Sequence, residues 1–321
     1  MPNSGQIAGA VTAVAAVFVL HRLLGTSRTK PRQNRIRPSK ERVLILGASS
    51  GLGRTLAKQY AARGARVCVV ARRKEALEEL ATECDGDGCL PFAADFTQPE
   101  AMIRLRDELL RRWDGLDTLH VCAGVSAVQP VMALTGIEFE CSHEDPTTDG
   151  IRRAAGYAEK AAQGNFFGPL VAVVTFLSTM KRTSEAPAIL LVSSVAAVVP
   201  APTRALYAAT KAASLLFFQS LSIEHPDVAF TAILPATIEG NFRASAVDAD
   251  ADPRQNKTAD ETNKRGLKMD YVANRCADAV DRGLRGNVVI PWFPYAIAHH
   301  LYYLWPSVIE AQARRKYKFT A

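Results

Sequence analysis

The chain is short of cysteine, of net charge in its main body and, over its first forty residues, of any acid. Its six cysteines, Cys68, Cys84, Cys89, Cys122, Cys141 and Cys276, are scattered through 321 residues with no CxxC spacing. That pattern excludes a disulfide framework and a thiolate zinc site, and it fits reduced thiols in a cytosol-facing protein. Residues 1–40 hold seven basic side chains and no acid; setting them aside from the 39 Lys and Arg leaves 32 bases against 32 acids. The formal charge of +7 therefore sits at one end of the chain, and a general nucleic-acid surface is excluded. No metal is expected either. The polar, acidic stretch Glu138 to Gly150 contains His143 but lacks a spacing that would aim ligands at one point, so it reads as a solvated insert.

What is present begins with 48% hydrophobic residues, enough for one large α/β domain with appendages. From Ile7 to Leu20 no residue is charged, and Leu23 and Leu24 extend the run beyond His21 and Arg22. A bilayer span takes about 20 apolar residues, and tilt with snorkelling of His21 and Arg22 brings this run within reach. The basic cluster after the run marks a signal anchor that holds the body in the cytosol, the endoplasmic reticulum being the expected membrane. A mitochondrial transit peptide and a cleaved secretory signal are the alternatives. Thr29 to Lys40 then reads as a basic tether beside anionic lipid. The expected division is anchor and linker over 1–40, the fold over 41–291, and a tail over 292–321.

From residue 41 onward, apolar runs alternate with helical patterns. Val43 to Leu46, Ala65 to Ala71, Cys89 to Ala94, Leu116 to Cys122, Ile189 to Ser193, Val228 to Leu234 and Asn287 to Pro291 read as strands. Helical periodicity follows Gly53 through Arg63 and covers Lys74 to Glu83, Gln98 to Trp113, Arg204 to Ser222 and Asp270 to Leu284. Such alternation predicts a Rossmann-type, doubly wound parallel sheet with helices on both faces.

Strand one ends in Gly47-Ala48-Ser49-Ser50-Gly51-Leu52-Gly53. Glycines in a strand-to-helix turn let a pyrophosphate approach the helix N-terminus, where free N–H groups and the dipole favour anions. Strand two ends in Arg72-Arg73, where an NAD site usually offers an acid to the ribose; two arginines suit a 2′-phosphate, which favours NADP(H) over NAD(H). Asp95 lies where it can accept from an adenine amino group or cap the helix near Pro99. Ala123-Gly124 closes the fourth strand with a glycine that lets a cofactor pass close to the backbone. Downstream, Tyr207 and Lys211 are four residues apart on a predicted helix, on one face, so that an ammonium can lower the pKa of a phenol.

Together these motifs resemble the short-chain dehydrogenase/reductase family over about residues 41 to 291. The resemblance implies a catalytic serine thirteen positions before the tyrosine, which is Ser194, and an asparagine in the helix after strand four, which is Asn165. It implies that Tyr207 is the general acid/base, that Ser194 holds the reacting oxygen, that Lys211 lowers the tyrosine pKa and holds the ribose, and that Asn165 supports a relay water. It also implies cofactor contacts from Pro235 and Ile238 in the loop after strand six, and a mobile lid over 236–266. The chain departs from the family pattern at Leu46, Cys122, Ala236 and Gly240, where Thr, Asn, Gly and Thr are usual. These changes keep open a cofactor-binding regulatory protein without turnover, or a soluble carbonyl reductase released from a targeting peptide.

The last thirty residues are rich in aromatics, Trp292, Phe293, Tyr295, Tyr302, Tyr303, Trp305, Tyr317 and Phe319, followed or interleaved by Arg314, Arg315, Lys316 and Lys318. Such a tail reads as a second, monotopic membrane contact, with a homodimer contact or a core cover as the alternatives. A membrane anchor beside an NADP(H) site points to reduction of a lipophilic ketone of steroid, retinoid, sphingoid or acylglycerone type.

Overall fold

The computed structural model describes residues 31–84, 88–137, 145–251 and 263–317. Seven strands, β1 (Arg42–Leu46), β2 (Arg66–Ala71), β3 (Cys89–Ala93), β4 (Thr118–Val121), β5 (Ala188–Val192), β6 (Ala229–Pro235) and β7 (Gly286–Ile290), form one parallel sheet in the order β3-β2-β1-β4-β5-β6-β7. The order runs one way from β1 to β3 and the other way from β4 to β7, so the switch point lies between β1 and β4. Ligands of open α/β sheets bind at that crevice, beyond the strand carboxyl ends.

The strands are apolar throughout because both faces are covered. Alternate residues feed two cores. Val43, Ile45, Val67 and Val69 point to one face, against α1 (Gly51–Ala62), α2 (Lys74–Glu83) and, further along the sheet, α8 (Met269–Asp281). Leu44, Leu46, Cys68 and Val70 point to the other, against α3 (Pro99–Trp113), α6 (Gly168–Thr183) and α7 (Ala205–Glu224). The expected doubly wound sheet is therefore present, with strand ends within two residues of their predicted positions.

Between β4 and α6 lie a single turn, α4 (Val131–Leu134), and α5 (Thr148–Ala162), whose N-terminus Thr147 caps by accepting from the Gly150 N–H at 3.1 Å. The turn Gln163–Phe167 is π-helical and joins α5 to α6 in one continuous rod. The expected solvated insert thus gives way to helix from Thr148; residues 138–144, with His143, lie outside the described residues. Among the described residues, the rod Thr148–Thr183 is the one helix long and apolar enough to cross a membrane. Its apolarity has another cause, since Ala172, Val173, Phe176 and Met180 are buried on the sheet.

The apolar run expected as an anchor lies outside the described residues; of the basic stretch expected as a tether, Arg32 is packed into the fold while Arg35, Arg37 and Lys40 are exposed. Two 3-10 turns, Arg32–Asn34 and Pro38–Lys40, dock on the amino-terminal edge of the sheet. Arg32 is only 4% exposed, ion-paired to Glu41 at 2.6 Å and donating to Thr118 Oγ1, Asp117 O and Ala186 O. A guanidinium placed beside a buried carboxylate is held by that carboxylate and not by lipid.

After β7 the tail forms α9 (Trp292–Leu304) and α10 (Pro306–Tyr317), which fold back against each other. One side of this pair closes over the sheet's carboxyl edge, while Phe293, Tyr303, Leu304 and Val308 stay exposed.

Candidate active site

A cleft of about 1940 Å³ opens along the carboxyl ends of the strands. A single drug-sized ligand occupies about 300–1,000 Å³, so this space suits a dinucleotide together with a second molecule. Its floor is the switch point. A Cβ on Gly47, at φ +87°, would stand 2.6 Å from the Ala123 backbone, so β1 and β4 converge as only glycine allows. A Cβ on Gly53 would stand 2.3 Å from Gly47 O, which fixes the first turn of α1 against the loop. No side chain caps that helix at Ser50, so its leading N–H groups are available to an anion.

At the end of β2, Arg72 and Arg73 line the same cleft, and Arg73 Nη2 donates to Ser49 Oγ at 3.0 Å. Both side chains are exposed, and among the described residues neither has a carboxylate within ion-pair distance. Asp95 also lines the cleft, but its Oδ1 accepts from the Thr97 N–H and hydroxyl, at 3.0 and 2.8 Å. Gln98, not Asp95, occupies the N-cap of α3, so the capping alternative fails for a local turn that the aspartate builds for itself.

Deeper in the cleft stand Tyr207 and Lys211, on the first turns of α7. The lysine is 3% exposed, its ammonium donates to Val192 O at 3.0 Å, and burial pulls its pKa down to about 8. Space around it is tight, because a Cβ on Gly124 would meet its Nζ at 3.0 Å and Asn165 Oδ1 at 2.9 Å. Ser194 follows β5; its Oγ accepts from the Ala196 N–H at 3.1 Å, which leaves the hydroxyl proton free to donate. The Tyr207 phenol is pushed above its ordinary pKa by burial, pulled back by its Ser194 hydroxyl partner and by Arg204, and pushed up again by Tyr317. Lys211, expected to lower the tyrosine, is turned to the Val192 carbonyl, and the cation acting on the phenol here is Arg204, one turn earlier.

The proposed positions thus converge on one cleft, with a single exception. Gly47, Ser49, Ser50, Gly51, Leu52, Gly53, Arg72, Arg73, Asp95, Ala123, Gly124, Ser194, Tyr207, Lys211, Pro235 and Ile238 all line it. Asn165 does not. It is fully buried in the π-helical turn behind the wall, where Oδ1 accepts from the Val125 N–H at 2.9 Å and Nδ2 donates to Val125 O at 3.0 Å and Thr210 Oγ1 at 3.1 Å. With both polar atoms committed, the side chain fastens the loop after β4 to α7.

The loop after β6 lies across the cleft. Phe242 packs edge-on against the Tyr207 ring at 6.0 Å between centroids. Asp248, within the stretch expected as a lid, is fully buried and accepts from the N–H groups of Val128 and Gln129. The departure at Gly240 has a backbone reason: its φ of +111° would strain a β-branched threonine, and its N–H and O pair with Asn263 across the loop. Residues 252–262 of the expected lid lie outside the described residues. Cys122 stands where the family has asparagine, its thiol pushed up to about 12 by burial, so it contributes bulk and no charge.

A family model described as short chain dehydrogenase matches residues 41–251. The chain belongs to the short-chain dehydrogenase/reductase family. It is an oxidoreductase by that membership. Among its relatives, dehydrogenase/reductase SDR family member 7B of Mus musculus is 28% identical over 94% of this chain and 88% of that protein. An 11-beta-hydroxysteroid dehydrogenase 1A of Arabidopsis thaliana is 32% identical over 62% of this chain and 53% of its own length. Of solved structures, the closed form of a serine dehydrogenase complexed with NADP+ superposes with a TM-score of 0.57 at 25% identity, covering 73% of this chain and 86% of that one. Dinucleotide chemistry at this cleft fits both the family and the glycine cradle.

One residue of the site escaped the sequence reading. Arg204 appeared there only as the start of a helix, yet it lies three positions before Tyr207, on the same helical face. That offset was the available signal.

Proposed function

We propose that this protein reduces a ketone on a lipophilic molecule, using NADP(H), with Tyr207 as the general acid. The observation that carries the reading is that Tyr207, its partner Ser194 and the glycine cradle all open onto one cleft. NADP(H), when bound, supplies the hydride. The backbone of Gly47 to Gly53 would hold its phosphates, Arg72 and Arg73 its 2′-phosphate, and Ala123, Gly124, Pro235 and Ile238 would flank the remainder.

The chain's own groups then divide the work. Ser194, its oxygen fixed by the Ala196 N–H, donates a hydrogen bond to the substrate oxygen, keeping its own proton, and orients the carbonyl. Tyr207 gives its proton to the same oxygen as the carbon is reduced, which is why a phenol kept protonated by burial suits the reductive direction. Lys211, buried and held on Val192 O, would hold the ribose of NADP(H). Asn165 positions this helix against the loop that closes over it. Phe242 and the tail helices shield the site from water.

The same tail supports the membrane assignment. Its inner face lines the cleft, and its outer face exposes Phe293 and Tyr303, 67% and 73% accessible, aromatic surface suited to a lipid interface beside the cleft.

The test is NADPH oxidation by the full chain in detergent, with a panel of steroid, retinoid, sphingoid and acylglycerone ketones. Tyr207→Phe should lower kcat by about 10²–10⁴-fold, the usual size of acid–base help, while leaving the melting temperature in place. Equal turnover by the phenylalanine variant would sink the mechanism.

A further inference from the structure

The part of the cleft beside Tyr207 and the tail carries positive charge. Three cations line it, Arg204, Arg243 and Lys316. The acid nearest in sequence to this wall, Glu239, is already ion-paired to Lys268 at 2.8 Å and accepts from the Met269 N–H. Lys316 has a neutral partner, donating to the Tyr295 hydroxyl at 3.1 Å. Apolar groups, Val199, Phe242, Ala298 and Ile309, line the same cleft.

Arg204 is the most committed of the three. It is partly buried, and its Nη1 donates to Ser126 Oγ at 3.2 Å and Ala127 O at 3.0 Å, which fixes the plane of the guanidinium. Among the described residues no carboxylate lies within ion-pair distance of it. Asp248 acts on it through space, but both carboxylate oxygens of that residue are spent on the N–H groups of Val128 and Gln129. Burial and the neighbouring Arg243 push its pKa down, the signature of a cation short of negative company. The residue before it, Thr203, has φ +61°, a left-handed conformation that a β-branched side chain avoids. Strain of this kind persists where the surroundings impose it and clusters at ligand sites.

A guanidinium held flat in an apolar cleft, one helical turn from the proton donor, is a receptor for a carboxylate or phosphate, which it can meet with two parallel hydrogen bonds. We propose that Arg204 selects an anionic group on the substrate, so that the molecule reduced is an amphiphile bearing a carboxylate or phosphate near its ketone and not a neutral ketone. This rests on the reading of Tyr207 as the donor to that ketone. Arg243 and Lys316 add long-range attraction, and the apolar groups take the chain.

The probes are 2-oxohexadecanoate, its methyl ester and hexadecyl phosphate, applied to the full chain in detergent. Two measurements run side by side: kcat and KM with NADPH for the acid and the ester, and equilibrium binding of hexadecyl phosphate, which cannot be reduced. Wild type should prefer the acid by tenfold or more in kcat/KM, with the difference in KM. Arg204→Met should bring the acid-to-ester ratio near one and weaken phosphate binding tenfold or more, and Arg204→Lys should recover part of both. A stronger dependence on Arg204 for hexadecyl phosphate than for the acid identifies phosphate as the group recognised, and the reverse identifies carboxylate. If neither ketone is reduced but phosphate binding still depends on Arg204, the anion site stands and the ketone assignment falls. If wild type reduces acid and ester alike, or if Arg204→Lys and Arg204→Met lose both equally, Arg204 merely braces the loop at Ser126 and the proposal is overturned.

Discussion

The two edges of the sheet hold the same residue type in opposite circumstances. At the amino edge, Arg32 pairs with Glu41 and Arg42 with Asp117, at 2.6 and 2.8 Å, and Arg63 reaches Asp281 at 2.7 Å. Each of these guanidiniums is answered by a carboxylate of the same chain. At the carboxyl edge, Arg72, Arg73 and Arg204 border the cleft, and among the described residues none has a carboxylate within ion-pair distance. The electrostatics of folding closes on itself, whereas a binding site is left open to a charge that arrives from outside. Arg42 and Asp117 illustrate the closed case. Hydrogen bonding to Asp117 raises the guanidinium, and although burial opposes it, Arg42 holds the carboxyl below its usual range.

The sharpest way to break this contrast is to remove a closed arginine. Arg32→Met leaves Glu41, 1% exposed, without its main partner, and stranding a buried charge costs about 3–5 kcal/mol. Thr118 and the more distant Arg63 remain near Glu41, so the lower end is expected. Urea unfolding should show the midpoint fall, with kcat/KM per folded molecule within twofold of wild type. A chain shortened to begin at Pro38 loses the same pair and should be destabilised alike. A kinetic defect larger than the stability defect would mean that the amino edge is coupled to the cleft, against the division drawn here.

How much of this was legible in the sequence depends on whether the signal was local. The strands and the glycine turn are local patterns, and β1 through β7 fall where the apolar runs lie. The four-residue offset of Tyr207 and Lys211 on one helix is equally local, whereas Ser194 is reached only through the family resemblance. Arg32 was misread because burial is decided by which side chain meets Glu41 across the sheet edge, and a basic stretch after an apolar run looks like a tether whichever way it docks. The commitment of Asn165 to Val125 depends on a π-helical turn that no simple period reveals. Arg204 sat in plain view at an offset of three from Tyr207, but its lack of a carboxylate is a property of the folded neighbourhood.

A smaller effect tests the amino edge by pH. His120 is fully buried on β4, with neither ring nitrogen hydrogen-bonded, its ring 5.1 Å from that of Tyr60. Burial, then Arg32 and Arg63, pull its pKa down to about 3 from the ordinary 6.5. A histidine lowered in the fold binds fewer protons than in the unfolded chain between those values. Stability is therefore complete above pH 6.5 and is lost as pH falls toward 3, by roughly 3 kcal/mol between pH 7 and 4.5. His120→Phe removes the titration, so over that interval the variant should lose about 3 kcal/mol less than wild type. Parallel acid profiles would mean that water or a rearranged partner satisfies the imidazole, and that the edge is less closed than its ion pairs suggest.

The smallest expected effect lies at the open edge. Arg72 and Arg73 are exposed, and exposed charges are worth little to a fold. Changing both to alanine should therefore leave the melting temperature almost unmoved. What they offer is cationic donors at the cleft, Arg73 beside Ser49, where a 2′-phosphate would lie. Charge-assisted hydrogen bonds contribute about 1.5–3 kcal/mol when desolvated and less at a surface, so a change of about tenfold, near 1.4 kcal/mol, is the fair expectation. Equilibrium titration with NADPH and NADH measures it directly: the double variant should lose about tenfold for NADPH and nothing for NADH. Because NADH lacks only the 2′-phosphate, it controls for any disturbance of the glycine turn that both dinucleotides would feel. An equal loss for both would turn Arg72 and Arg73 into supports of the loop, and tighter binding of NADH by wild type would reverse the cofactor assignment itself.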